Sequence, residues 1–179
     1  MIGDISEVLF TQEQISERVA ELGAQIAKDY AGKKVLLVGV LKGCYVFLAD
    51  LSRQIALDCE VVFLTASSYG FSSVTSGRVN IDRNIEFDAK DKHVIIIEDI
   101  LDTGVTLTAL HALIAKQKPA SLKTCTLLDK PERREMPFTA EYTGFKCPNK
   151  FVVGYGLDYA EKYRCLPYVG VLKPEVYAC

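Results

Sequence analysis

The run Val35 to Val40, Val-Leu-Leu-Val-Gly-Val, carries no polar side chain. Such a stretch suits a strand buried on both faces, which is the environment of a parallel sheet covered by helices. His93-Val-Ile-Ile-Ile97 is a second clear strand and ends in Glu98-Asp99. Val61 to Ala66, Leu122 to Leu128, Phe151 to Val153 and Tyr168 to Leu172 read as further strands. Helical periodicities lie between them. Thr11 to Gln14 reads as a capping box, after which Ile15, Val19, Leu22 and Ile26 recur at helical spacing until Gly32. Tyr45 to Ile55 turns Leu48, Leu51 and Ile55 inward, and Leu107, Leu110, Leu113 and Ile114 mark a helix that stops near Pro119. Strands alternating with helices predict an α/β fold with a largely parallel sheet.

The 179 residues fit one domain. A net charge of −2 argues against a general nucleic-acid binder, which would show a basic surplus. No apolar run has the length of a membrane-spanning helix, and the first residues lack the pattern of a signal peptide, so the expected location is the cytoplasm. Cys44, Cys59, Cys125, Cys147, Cys165 and Cys179 form no C-x-x-C pair and are expected to be reduced thiols packed as small hydrophobes. His93 and His111 are too few and too ill-spaced for a histidine-rich metal site.

Chemistry concentrates in Glu98-Asp99-Ile-Leu-Asp102-Thr103-Gly104-Val-Thr106. In a parallel α/β sheet, ligands bind beyond the carboxyl ends of the strands. This turn leads into a helix N-terminus, where free N–H groups and the helix dipole favour a phosphate. Gly104 lets the backbone approach closely, and Thr103 and Thr106 offer hydroxyl donors. The acids would repel a phosphate and need another task. Glu98 and Asp99 suit sugar hydroxyls or a Mg2+ held beside them, and Asp102 suits a base. A ribose phosphate satisfies both halves. The alternative on spacing alone is a helix-capping Asp among ordinary surface acids. The segment matches neither the P-loop nor the dinucleotide-binding glycine pattern.

The stretch resembles the phosphoribosyl-pyrophosphate motif of the type I phosphoribosyltransferases: an apolar strand, two acids, two apolar residues, then D-T-G-x-T. Further segments resemble the hypoxanthine-guanine branch of that family: Leu41-Lys-Gly43, Ser68-Tyr69, Leu128 to Arg134, Phe151 to Asp158, and Arg164. The resemblance implies a type I phosphoribosyltransferase fold, a mostly parallel sheet flanked by helices with a small hood over the base. Residues 1–179 would form a single domain, its core at about 11–128 and its hood at about 129–179 plus the first residues. Gly144 to Pro148 is expected in the hood.

The resemblance also assigns roles. Glu98 and Asp99 would bind the ribose hydroxyls and Mg2+, and Asp158 a second Mg2+. Asp102 would be the general base. Thr103, Gly104, Val105, Thr106 and Leu107 would cradle the sugar phosphate. Lys130 would donate to the six-oxo group, Phe151 would stack on the purine, and Val152 would read its edge. Lys42, Gly43 and Arg164 would bind pyrophosphate, with a cis peptide between Leu41 and Lys42. Ser68 and Tyr69 would sit in a lid, within the small, polar stretch Ser67 to Gly77. Arg78 to Glu86 alternates like a flanking strand or hairpin arm. The implied ligands are phosphoribosyl pyrophosphate, pyrophosphate, six-oxopurine bases and their nucleotides. The implied assembly is a homodimer or homotetramer, without nucleic acid or membrane. Two alternatives are an enzyme of the same superfamily acting on xanthine or a pyrimidine, and a regulator using the fold as a sensor. The second would carry an added DNA-binding segment or a basic surface.

Overall fold

A computed structural model of the chain describes residues 2–68, 79–81 and 87–178. The elements in chain order are β1 (Ile5–Phe10), α1 (Gln12–Asp29), β2 (Val35–Leu41), α2 (Tyr45–Gln54), β3 (Cys59–Ser68), β4 (Val79–Ile81), β5 (His93–Leu101), α3 (Val105–Ala115), β6 (Ser121–Asp129), β7 (Tyr142–Lys146), β8 (Val152–Val153), β9 (Val169–Leu172) and α4 (Pro174–Tyr177). They build two sheets. The larger has the order β4-β3-β2-β5-β6-β7. Its strands from β3 to β7 are parallel, and β4 joins β3 antiparallel. The smaller, β1-β9-β8, is antiparallel and takes strands from both ends of the chain.

The apolar runs are buried on both faces, as their composition requires. Val35, Leu37, Ile95 and Ile97 face a core shared with α1 and α2, whereas Leu36, Val38, Val94 and Ile96 face α3. Helix α1 begins with the expected capping box: Thr11 Oγ1 accepts from Gln14 N, and Gln14 Oε1 accepts from Thr11 N. A cap of this kind is worth about 1 kcal/mol. The helix ends at Asp29, and Gly32 follows in a turn at φ +72°.

The structure departs from the sequence expectations in several places. β5 does not end at Glu98-Asp99 but runs to Leu101, because β6 pairs with it as far as Leu101↔Asp129. The segment Gly144 to Lys146 lies in the edge strand β7 of the larger sheet rather than in the hood. Arg18 of α1 holds that edge: its Nε donates to Gly144 O (2.9 Å) and its NH2 to Thr143 O (2.8 Å). Strand β1 was not expected; it pairs with β9 through Ile5↔Leu172 and Phe10↔Val169. Of the expected arm Arg78 to Glu86, Val79–Ile81 forms β4, and the rest lies outside the described residues. Most of the expected lid, including Tyr69, also lies outside them; Ser68 closes β3. Cys44, Cys125 and Cys147 are packed thiols as expected, and Cys59 is half-buried, but Cys165 is exposed. No helix among the described residues is long and apolar enough to cross a membrane.

Candidate active site

The larger sheet reverses its winding between β2 and β5: from β2 the chain moves outward to β3, then returns to β5 on the other side. The crevice at the carboxyl ends of two such strands is where α/β folds bind ligands. Here it holds Leu41-Lys42-Gly43 from β2 and Glu98 to Thr106 from β5. The Leu41-Lys42 peptide is cis. Gly43 packs directly on the acids of β5, since a Cβ there would lie 1.8 Å from Asp99 Oδ2. On its other side sits Gly156, at φ +101°, whose own Cβ would lie 2.1 Å from Gly43 O. Two glycines thus bring three chain segments into contact. Gly156 was not singled out by itself from the sequence, where it stands only within the segment Phe151 to Asp158.

Glu98 and Asp99 are buried. Asp99 Oδ1 accepts from Ile100 N at 2.9 Å, and the two carboxyl groups hydrogen-bond each other. Burial, and then the adjacent Asp99 charge, push the Glu98 carboxyl well above the usual carboxylate range. Burial also raises Asp99, opposed by its hydrogen bonds and by the Arg164 charge. A carboxyl raised in the folded state holds its proton more tightly there than in the unfolded chain. Its contribution to stability is therefore present at low pH and is lost as pH climbs past the ordinary carboxyl range. Glu98→Gln should raise Tm at pH 8 by about 2–4 °C, roughly 1 kcal/mol in a chain of this size. The gain should shrink toward pH 5; thermal melts across that range in metal-free buffer measure it, and an unchanged Tm at pH 8 would show that the acids are not held apart from solvent.

The next turn leads into the uncapped start of α3. Gly104 stands at φ +83° as the N-cap of α3, and no side chain caps that helix. Thr103 Oγ1 makes only a long contact with Val105 N, 3.4 Å. The first N–H groups of α3 at Val105, Thr106 and Leu107 thus face the turn of Asp102 to Gly104. The back of the turn is fixed by a segment that sequence reasoning gave no task. Thr103 O accepts from Glu135 N and Met136 N (2.9 and 3.0 Å). Arg134 donates to the carbonyls of Leu101 and Asp102 and ion-pairs with Asp129. Asp102 itself is partly exposed, and Arg133 Nε lies 3.2 Å from its Oδ1.

Lys130 follows β6, is buried at 7% exposure, and its N–H donates to Leu101 O (2.9 Å). Among the described residues no carboxylate ion-pairs with its ammonium group. Phe151 leads into β8 and is partly exposed. Tyr177 stacks on it with centroids 4.7 Å apart and planes 20° apart, and Tyr159 meets it edge-on at 5.6 Å. Val152 is buried in β8, opposite Val171. Arg164 pairs with Asp158 at 2.9 Å, and its NH1 donates to Gly156 O at 2.8 Å. Lys42 lies 3.1 Å from Glu161. Among the described residues no three acidic, histidine or cysteine side chains form a metal cage.

A family model for the phosphoribosyl transferase domain matches residues 7–160. The chain belongs to the phosphoribosyltransferase family. Within it, the hypoxanthine-guanine phosphoribosyltransferase of Streptococcus pneumoniae is 50% identical over 98% of this chain and 97% of its own. The crystal structure of a hypoxanthine phosphoribosyltransferase from Staphylococcus aureus superposes with a TM-score of 0.94 at 48% identity, covering 99% of this chain and 96% of that one. A hypoxanthine-guanine phosphoribosyltransferase from Bacillus anthracis, with a HEPES molecule in its active site, superposes with a TM-score of 0.89 at 47% identity. That match covers 94% of this chain and 99% of that chain. The type I phosphoribosyltransferase fold and the hypoxanthine-guanine branch, both expected from the motif, are thereby established for this chain.

Proposed function

We propose that this phosphoribosyltransferase serves purine salvage, moving the phosphoribosyl group of phosphoribosyl pyrophosphate onto hypoxanthine or guanine and releasing pyrophosphate. The observation that carries the choice of base is Lys130, a residue largely buried at the end of β6 whose ammonium group makes no ion pair among the described residues. An ammonium group has three N–H donors and no acceptor, so this side chain is suited to an acceptor atom of a ligand. The six-oxo group of hypoxanthine or guanine is an acceptor; the amino group of adenine at the same place is a donor and would oppose an ammonium.

Each residue then has a task. The N–H groups and hydroxyls of Thr103 to Leu107 bind the sugar phosphate. Asp102 manages the purine proton so that the attacking nitrogen keeps its lone pair. Lys42, Gly43 and Arg164 bind the diphosphate and stabilise charge growing on it as the bond to ribose breaks. Phe151 stacks on the purine, with Tyr177 on its ring as backing. Val152 reads the purine edge through its backbone. Ser68 and Tyr69 close over the reacting centre and exclude water.

Two adjacent carboxylates suit a hard divalent ion, and Mg2+ characteristically takes one or two carboxylates and completes its shell with water and phosphate oxygens. Glu98 and Asp99 supply such a pair. Asp158 would serve a second ion. When bound, Mg2+ offsets negative charge on the leaving pyrophosphate. The expected setting is cytoplasmic, as a homodimer or homotetramer.

The test is to offer hypoxanthine, guanine, xanthine and adenine in turn to the protein with phosphoribosyl pyrophosphate and Mg2+, beside a metal-free control. Mg-dependent nucleotide formation with the first two is expected; no product from any base would overturn the assignment. Phe151→Ala should raise the KM for hypoxanthine by about ten- to a hundredfold, the worth of one base stacked on an aromatic ring. The KM for phosphoribosyl pyrophosphate should stay within about twofold. Equal changes in both would mean that the ring supports the hood rather than the base.

A further inference from the structure

Lys42 and Arg164 lie far apart in the chain, yet both turn on one carboxylate. Lys42 Nζ is 3.1 Å from Glu161 Oε1, and Arg164 NH2 is 3.2 Å from Glu161 Oε2. Each oxygen takes one cation, the arrangement two oxygens of a phosphate group would make. The turn that presents Glu161 is under strain: Ala160 and Glu161 stand at φ +49° and +62°, left-handed values that side chains other than glycine rarely adopt. Glu161 N donates to Asp158 Oδ2 at 2.9 Å, which pins the turn beside the arginine. The two cations hold the Glu161 carboxyl below the usual range, so it is an anion at neutral pH.

Arg164 does not depend on Glu161 for its place. Asp158 and the carbonyl of Gly156 fix its guanidinium, and its Nε is buried without a partner. Lys42 differs: it is well exposed, and Glu161 is its one ion-pair partner among the described residues. Exposed pairs of this kind are weak and readily exchanged. A diphosphate carries more charge than a carboxylate and would displace it from both cations.

We propose that Glu161 is a tethered stand-in for the diphosphate: it draws Lys42 to the point where Arg164 is already held, must swing away when phosphoribosyl pyrophosphate binds, and returns to both cations as pyrophosphate leaves. The proposal rests on the assignment of Lys42 and Arg164 to diphosphate binding made above. It makes Glu161 a positioning residue that loosens the hold on released pyrophosphate.

The experiment is product inhibition by magnesium pyrophosphate, with thermal melts and the KM for hypoxanthine measured alongside. Glu161→Gln should lower the inhibition constant about three- to tenfold, the worth of one or two exposed ion pairs. Tm and the KM for hypoxanthine should not change, and Glu161→Asp should lie nearer the wild type. An unchanged or raised inhibition constant in Glu161→Gln would overturn the proposal. Lys42→Ala and Arg164→Ala separate the two levels. If both weaken pyrophosphate while Glu161→Gln does not tighten it, only the stand-in role fails; if neither weakens it, the diphosphate assignment itself falls.

Discussion

Asp102→Asn is expected to lower turnover by about a hundred- to ten-thousandfold, the range spanned by a positioned general acid or base, while nucleotide binding stays close to wild type. The substitution leaves an acceptor oxygen for Arg133 Nε, which lies 3.2 Å from Asp102 Oδ1. The backbone of the turn is held through carbonyl groups, by Arg134 at Leu101 and Asp102 and by the N–H groups of Glu135 and Met136 at Thr103. None of those contacts uses the Asp102 carboxylate, so the phosphate-binding turn should persist. What is lost is the capacity to take a proton. Single-turnover rates beside equilibrium binding of the product nucleotide separate the two, and equal turnover in the variant would remove Asp102 from the base role.

Gly43→Ala should be nearly as damaging to kcat/KM, about a hundredfold or more, for a purely steric reason. The new methyl carbon would stand 1.8 Å from Asp99 Oδ2 and 2.5 Å from Asp99 Cγ. That carboxyl is buried, accepts from Ile100 N, and cannot swing freely aside. Either Asp99 moves off its neighbour Glu98, or the Lys42-Gly43 turn lifts away from β5. A displacement of about 1 Å at a catalytic site can cost a hundredfold, and overpacking typically costs a further 1–3 kcal/mol of stability. Chemical denaturation and steady-state kinetics on the same preparation would show both losses. Wild-type kinetics would mean that Gly43 and Asp99 separate during turnover.

Much of this architecture was legible because local chemistry and tertiary role coincide. Val35 to Val40 and His93 to Ile97 are apolar on both faces because both faces are covered. The acid-rich turn stood out because acids beside an anion-binding helix start demand an explanation. Reading failed where a distant partner decides. Glu98 to Leu101 looks like the end of a strand, and becomes part of one only because β6 extends beside it. Gly144 was expected in the hood, yet it sits in β7 beside β6, where Leu127 O would lie 2.4 Å from a Cβ, too close for any side chain. Gly156 and Glu161 gave no local sign of their contacts with Gly43 and Lys42, which depend on how the loop after β8 folds back.

The small sheet β1-β9-β8 joins Ile5 to Leu172 and Phe10 to Val169. During synthesis β1 emerges before the other strands described here and has no partner until β9 has been made. The sugar-phosphate turn and its sheet neighbours are complete much earlier, since β5, α3 and β6 end by Asp129. A growing chain can therefore assemble the half proposed to hold ribose phosphate while the platform carrying Phe151 is still unfinished. In the proposed reading, the platform on which the purine stacks is the last part such a chain completes, and an arrested or truncated product lacking β9 would lose the partner of both β1 and β8 at once.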